Sequence, residues 1–230
     1  MRKSVLPLLA SLALLNAPAM AAAFPAPLDS ALSDAETTPK LRLSYSMRYE
    51  APGEAPVTLR FDAQTRYWSV VEGDPGALSK NAREKLNNIK KSESVPGGLL
   101  YADFRKYLRA VEALEETETQ HIYRFLPPEA EGEDAADDAE EVMRARLYVD
   151  KADGKLARYE VVGLKPFKPL PVAKMEEFVV EQDFERLEEN GEKNGPAVLV
   201  RLRSRQKGER FFRKVDTDFT AHFFDFERVE

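Results

Sequence analysis

The sequence predicts an α+β domain that is mainly antiparallel β: a curved sheet (half-barrel) with two helices packed on its concave side. Three observations predict this fold. Apolar and polar residues alternate over most of the chain, and a period of two places them on opposite faces of a sheet. Turn signals rich in Gly, Pro, Asp and Asn separate these runs, as in hairpins. Two stretches follow the helical period instead, and a sheet of this many strands tends to curl.

The clearest hairpin is predicted from Met143 to Val162. Apolar residues recur at every second position of 143–150, and a second alternating run begins at Leu156. Between the runs lies Asp150-Lys-Ala-Asp-Gly154, whose glycine can adopt the positive φ of a tight turn. The two carboxylates of this turn are spaced like metal ligands. Aspartate is common in turns because its carboxylate accepts a nearby backbone N–H, and this accounts for both residues without a metal.

Four further strands are predicted before this hairpin, at Leu41–Glu50, Val57–Asp62, Tyr67–Glu72 and His121–Leu126. The first has the cleanest alternation in the chain, which predicts one covered face and one wet face. The third carries Trp68, the only tryptophan.

Two helices are predicted between the third and fourth strands. The first runs from Asp74 to about Lys91, because Asp is a favourable cap and Pro75 suits the first helical position. The second runs from about Leu99 to Leu114, with an apolar stripe at i, i+4, i+7, i+11 and i+14. We expect the first helix, which is mostly polar, to lie on the surface, and the second to pack on, or plug, the concave side.

The C-terminal part is predicted to continue as hairpins. A long strand at Val172–Arg186 is followed by a strand led by Val198, and Lys207-Gly208 is predicted to turn the chain. Two last strands are predicted at Phe211–Asp216 and Phe219–Val229, which form a dense aromatic end.

Residues 1–21 are typical of a secretory signal peptide. Arg2 and Lys3 precede a short apolar run, and small residues predict cleavage near Ala21 or Ala23. We therefore expect an exported, periplasmic protein. No apolar run is long enough for a transmembrane segment. The chain has no cysteine, which excludes disulfides, thiolate metal sites and a lipid-modified cysteine.

The exported chain is expected to form one domain. Residues 22–40 predict a loose leader with at most a short helix around Leu28–Leu32. Residues 41–230 are long enough to bury a sizeable core as a single antiparallel half-barrel domain. Residues 129–141 contain eight carboxylates and no basic residue, so self-repulsion predicts a disordered acidic loop within a hairpin.

Signals for catalysis are sparse, and we expect a non-enzymatic protein without cofactor or metal. The Gly-x-Ser-x-Gly, phosphate-loop and His-Glu-x-x-His patterns are absent from the sequence. Asp216, Asp218 and His222 share one face of the last strand, which permits a carboxylate–imidazole site, with His121 as a distant further ligand. A solvated charged edge is the simpler interpretation. A formal net charge of −6 argues against a nucleic-acid partner.

Two interpretations are open for an arginine stripe. Arg201, Arg203 and Arg205 share one face of a strand, which fits a phosphate head group or an acidic partner. Alternatively, Glu177 and Glu181 on a neighbouring strand balance them on an ordinary exposed face.

The apolar side of the sheet gives the main functional hypothesis. An apolar concave face partly covered by helices can hold a lipid-like or lipoprotein acyl ligand, at about 0.8 kcal/mol per CH₂ removed from water. The alternative is a filled core in an envelope interaction or scaffold module that docks another envelope protein. The expected ligand-binding residues are Tyr45, Met47, Tyr49, Phe61, Trp68, Phe178, Phe184, Phe219 and Phe223.

Four features of the sequence carry a resemblance to known proteins. They are the exported leader, Leu59-Arg-Phe-Asp62 with Trp68, the Tyr148–Leu156 hairpin and the closing Phe224–Val229 stretch. They resemble proteobacterial envelope proteins of the LolA/LppX-like half-barrel class and, more closely, uncharacterised alphaproteobacterial periplasmic proteins. The resemblance implies a curved antiparallel sheet closed by helices, and a role in carrying lipid or lipoprotein acyl chains. The order of helices and strands differs from that of the family, because the predicted helices follow the third strand. The acidic insertion is also additional. The resemblance therefore assigns no individual binding residue.

Overall fold

The described residues build one large antiparallel sheet with helices against its apolar side. The computed structural model describes residues 24–37, 42–91, 104–105, 108–126, 139–170, 173–189, 191–210 and 213–229. The predicted signal peptide and most of the acidic loop lie outside these ranges. The elements are α1 (Ala26–Thr37), β1 (Leu43–Glu50), β2 (Val57–Asp62), β3 (Tyr67–Glu72), α2 (Lys80–Lys91), β4 (Arg109–Glu116), β5 (Gln120–Leu126), α3 (Ala139–Val142), β6 (Met143–Asp150), β7 (Leu156–Gly163), β8 (Phe167–Leu170), β9 (Ala173–Arg186), β10 (Ala197–Arg210) and β11 (Arg213–Arg228).

The strand order is β3-β2-β1-β11-β10-β9-β7-β6-β5-β4, and β8 pairs with β9 outside this path. Every pairing between strands is antiparallel. The sheet does not close, and β3 and β4 are its two edges. The predicted mainly antiparallel α+β class is therefore confirmed.

The register separates the two faces of the sheet. Met47 is paired with Phe223, and the same side of the sheet carries Leu147 opposite Tyr159. This side, which we call the apolar face, contributes most of the buried apolar cluster that the described residues form. The opposite side, the charged face, carries Arg158, Glu181, Asp183, Arg201 and Arg205.

The hairpin of β6 and β7 forms as predicted. The Gly154 backbone N–H donates to the Asp150 carbonyl at 2.8 Å, and Gly154 has a φ of 68°. The Asp150 carboxylate accepts the Ala152 N–H at 3.0 Å, which is the turn chemistry expected of Asp at this position.

Helix α1 packs into the core, which corrects the expectation of a loose leader over residues 22–40. It spans Ala26–Thr37 and is longer than the short helix predicted there. Leu28, Ala31 and Leu32 are at most 1% exposed. Their i, i+3, i+4 spacing makes a narrow apolar stripe, and burial of that stripe stabilises a helix whose local sequence signals are weak.

Helix α2 confirms the first predicted helix but begins at Lys80 instead of Asp74. Asp74 forms a turn instead, because its carboxylate accepts the Gly76 backbone N–H at 2.7 Å. The helix is capped by Ser79, whose hydroxyl accepts the Ala82 N–H at 3.3 Å. Leu78, just before the helix, and Ala82 and Leu86 within it are buried in the core.

The second predicted helix, Leu99–Leu114, is wrong over its C-terminal part, where Arg109–Glu116 forms the edge strand β4. This stretch is rich in Ala, Leu and Glu, which favour helix, so pairing with β5 overrides the local preference. Residues 92–103 and 106–107 lie outside the described part of the chain.

The last two strands are longer than predicted. The turn predicted at Lys207-Gly208 is wrong, because β10 continues to Arg210. A register shift against β9 falls there, and a Cβ on Gly208 would clash with the Lys174 backbone, so glycine permits the close approach. β11 is one strand where two were predicted.

The acidic loop predicted to be disordered over 129–141 ends earlier than expected. Its last three residues belong to the short helix α3, which leads directly into β6. Residues 127–138 lie outside the described ranges, so the prediction for the rest of the loop has no structural counterpart here.

Candidate functional site

The nine residues predicted to bind a ligand lie on the apolar face, on five strands. Eight of them are at most 8% exposed, and Trp68 is half-buried. They are Tyr45, Met47, Tyr49, Phe61, Trp68, Phe178, Phe184, Phe219 and Phe223. Their location on one face is a structural fact, and their role in binding stays a prediction.

Most of the aromatic members of this set pack against other aromatic rings. The ring centroid of Tyr45 lies 5.4 Å from that of Phe61 and 5.5 Å from that of Trp68. Phe223 lies 5.9 Å from Tyr45. Each such pair contributes about 0.5–1.5 kcal/mol beyond area burial. These rings therefore occupy much of the space that a ligand on this part of the face would need.

The two phenylalanines of β9 form a separate group. Phe178 packs edge-on against Phe167 of β8 at 5.9 Å, and Phe184 packs edge-on against Phe104 at 5.8 Å. β8 and the segment before β4 thus cover this part of the apolar face with aromatic rings.

A cleft of about 480 Å³ opens where the ends of β9 and β11 and the starts of β1 and β10 come together. Its apolar lining is Leu43, Leu187, Val198, Val200, Phe223, Phe224 and Phe226. Its charged lining is Glu185, Arg186, Glu188, Glu189, Lys193, Asp225 and Arg228. Only Phe223 belongs to the nine predicted residues. The cleft is therefore the candidate site, and it lies at one end of the predicted surface.

A β-bulge shapes one wall of this cleft. The register of β1 with β11 shifts between Ser44 and Ser46, and Asp225 has a φ of 52°, in the left-handed region that few non-glycine residues adopt. The Arg60 guanidinium donates to the Asp225 carbonyl at 2.6 Å and pairs with Glu227 at 2.7 Å. The bulge interrupts the alternation of β11, so aromatic residues at neighbouring positions line the same cleft.

Two side-chain ion pairs lie at the mouth of the cleft. Lys193 Nζ lies 2.9 Å from a Glu185 carboxylate oxygen, and Arg228 lies 2.9 Å from Glu189. The hydrogen bond that Lys193 donates to the Glu185 carboxylate raises the pKa of Lys193 above its ordinary value. The mouth therefore offers both signs of charge above an apolar lining.

A smaller cavity of about 240 Å³ adjoins the cleft and shares Glu185, Arg186 and Lys193 with it. Arg186 pairs with Asp153 at 2.7 Å and donates to the Gly195 carbonyl at 3.1 Å. These contacts tie the β6–β7 turn to the β9–β10 connection and fix the shared wall.

The arginine stripe belongs to a network of cross-strand ion pairs on the charged face. Arg201 lies 3.2 Å from Glu181, and Arg205 lies 2.7 Å from Glu177. Asp183 bridges two arginines, at 2.6 Å from Arg158 and 2.5 Å from Arg201. The hydrogen bond that Arg158 donates to the Asp183 carboxylate raises the pKa of Arg158. The interpretation in which Glu177 and Glu181 balance the stripe is confirmed.

The two histidines lie far apart. His222 lies between Arg201 of β10 and Arg48 of β1 in the register. His121 is on β5, five strands away, or about 24 Å at ordinary strand spacing. Within the described ranges, no group of three or more His, Asp or Glu side chains is arranged to hold a metal ion.

Comparisons with known proteins give no assignment. No family model, curated protein or solved structure matches the chain. Among the described helices, none is long and apolar enough to cross a membrane.

Strict alternation of apolar and polar residues in the sequence did not predict most of the residues that line the cleft. Val200 lies at a register shift between β9 and β10, and the bulge at Asp225 places Phe224 and Phe226 beside Phe223. The available signal was the adjacent pair Phe223-Phe224, because two successive large apolar residues in an alternating strand indicate a bulge.

Proposed function

We propose that the protein is a non-enzymatic, periplasmic binding protein that takes a lipid-like or lipoprotein acyl chain into the cleft described above. The observation that carries the proposal is a 480 Å³ cleft with seven apolar lining residues beneath a charged mouth. Its volume falls within the range of about 300–1,000 Å³ that is usual for ligand sites.

The free energy expected for burying an acyl chain in the cleft fits reversible binding. Each methylene removed from water contributes about 0.8 kcal/mol, so ten buried methylenes contribute about 8 kcal/mol. Association and ordering cost at least about 4 kcal/mol. The balance of about 4 kcal/mol corresponds to a Kd of about 1 mM for ten methylenes alone, so retention of a ligand through purification requires a longer buried chain or contacts with its head group.

The charges at the mouth favour a head group with both signs of charge over a strongly anionic one. Lys193 and Arg228 are each already paired with a glutamate. A zwitterionic head group could exchange with both pairs without leaving a charge uncompensated.

Native mass spectrometry of the protein purified from a periplasmic extract tests the proposal directly. Co-purifying lipid that is released on denaturation supports it and gives the ligand class. A bare polypeptide mass that stays bare after incubation with phospholipid and lipoprotein contradicts it. The mass of the mature chain also tests cleavage near Ala21 or Ala23.

Phe224→Asp is the matching binding test. Phe224 lines the cleft and is 38% exposed, so a carboxylate there should weaken binding of a fluorescent long-chain fatty acid at least tenfold, about 1.4 kcal/mol, at little cost in stability. Leu164→Asp is the control, because Leu164 is 51% exposed and does not line the cleft. Equal binding by both variants would contradict the assignment of the cleft.

The second candidate function is an envelope interaction or scaffold module with a filled core. The mutual packing of Tyr45, Phe61 and Trp68 favours it, because those rings already occupy part of the apolar face. A protein that stays free of ligand in both experiments would make this candidate the better one.

A further inference from the structure

The two edges of the sheet differ in what they present to solvent. On the edge strand β3, Tyr67 is 68% exposed, Val70 is 52% exposed and Val71 is 61% exposed. An edge strand also turns alternate backbone N–H and C=O groups outward, so it can template pairing with another strand. Natural proteins usually protect such an edge with charges, and on β3 only the terminal Glu72 is charged.

The opposite edge is protected in this way. β4 carries Arg109, Glu112, Glu115 and Glu116, and its pairing with β5 shifts register twice. Charges and irregular pairing both discourage the addition of a further strand. The molecule therefore offers one edge suited to strand addition within the described residues.

We propose that two copies of this chain pair through β3, antiparallel, about a two-fold axis at Ser69. A two-fold axis normal to the sheet keeps each face continuous, so residues opposite each other must have the same side-chain direction. Centring the axis on Ser69 satisfies this condition. It places Trp68 opposite Val70 of the second copy, and both residues lie in the part of the strand whose pairing with β2 is regular.

The sequence of β3 is complementary to itself in this register. Trp68 and Val70 both lie on the apolar face, and an aromatic residue opposite a β-branched residue is a favourable cross-strand pair, which the two-fold axis makes twice. One register shift against β2 falls after Val70, which leaves Tyr67–Val70 regular for pairing.

Self-pairing of one edge gives a closed dimer. Pairing of β3 with β4 of another copy would repeat without end and build a filament, and the acidic β4 edge opposes it. The paired strands are short, so the interface is small and the dimer is expected to be reversible.

A cysteine-free chain allows a direct test of the register. Ser69 would meet Ser69 of the second copy at about 4.5–5.5 Å between Cα atoms, which is suitable for a disulfide. Ser69→Cys is therefore expected to form a covalent dimer on mild oxidation, and its mass to shift to twice that of the monomer. Leu114→Cys is the matched control, since Leu114 is 43% exposed on the β4 edge and should stay monomeric.

Sedimentation of the unmodified protein over a concentration series completes the test. A reversible monomer–dimer equilibrium that Val70→Lys abolishes supports the proposal. A monomer at every concentration together with equally slow oxidation of both cysteine variants would overturn it. So would crosslinking of Ser69→Cys with Leu114→Cys in a mixture, because it would show pairing between unlike edges.

Discussion

Two buried tyrosines show how much the surroundings of a single hydroxyl matter. Tyr45 is fully buried and its hydroxyl has no hydrogen-bond partner within the described structure. Tyr123 is 2% exposed, and its hydroxyl makes a hydrogen bond with the backbone of Leu28 in α1. Leu28 belongs to the first turn of that helix, whose backbone N–H groups have no partner within the helix.

Tyr45→Phe is expected to leave stability unchanged or to raise it by up to about 1 kcal/mol, because it removes an unsatisfied buried hydroxyl. Tyr123→Phe is the matched control and is expected to cost about 1 kcal/mol, because it leaves a backbone group of α1 without its partner. Urea unfolding at fixed pH measures both changes. A larger loss for Tyr45→Phe than for Tyr123→Phe would refute this account.

Buried tyrosines also predict a loss of stability at alkaline pH. Burial, assisted by Glu54, raises the pKa of Tyr49 to about 12 from 10.0, and burial raises the pKa of Tyr45 as well. In the unfolded chain both phenols ionise near pH 10, whereas the folded state keeps them protonated. Stability is therefore full below pH 10 and falls as pH rises toward the folded-state pKa values.

The urea midpoint measured in steps from pH 8 to about 12 checks this pH dependence. The Tyr49→Phe variant should lose less stability over the alkaline range than the unmodified protein does. Identical slopes for the two proteins would show that Tyr49 ionises normally in the folded state.

Among the helices, α1 depends on ion pairs at its exposed side as well as on its buried stripe. Arg105 lies 2.6 Å from Asp29 and 2.8 Å from Glu36, so it holds both ends of the helix. Lys155, only 8% exposed, lies 2.9 Å from Asp34. The segment before β4 and the residue that precedes β7 thus fasten the helix across the apolar face.

Asp34→Asn is expected to destabilise the protein by about 1–3 kcal/mol, because a nearly buried ammonium loses its carboxylate. Glu36→Gln is the matched control and should cost less, since Arg105 keeps Asp29. Urea midpoints give the free energies, and the rate of proteolysis near α1 shows whether the helix detaches. An equal effect of both substitutions would contradict a special role for the Lys155 pair.

The elements that sequence patterns predicted well are those in which pattern and tertiary contacts agree. Alternation identified the β6–β7 hairpin, because one face of β6 is buried and the other is less so. It also identified β1, but the wet face predicted for that strand is wrong over its first half, because Ser44 and Ser46 are buried as well. The helix predicted over Arg109–Glu116 is wrong, because pairing with β5 makes this stretch a strand although its residues favour helix. Helix α1 was underestimated because its stabilising partners, Arg105 and Lys155, are distant in sequence.

For the whole molecule, the predicted face is real but the candidate site is displaced toward one end of it. The nine residues came from alternation, which identifies the face and carries no information about where rings fill the space. The cleft depends on a bulge at Asp225 and on a register shift beside Val200. Both are irregularities that a strict period of two cannot place.

The pairing of β1 with β11 has a kinetic consequence. Met47 and Phe223 are directly opposite each other and 223 − 47 = 176 positions apart in sequence. Contacts of such separation slow folding, because a large loop must close before they form. β11 joins the β3-β2-β1 part of the sheet to the part that runs from β10 to β4, so these two parts cannot form one sheet until β11 has been synthesised.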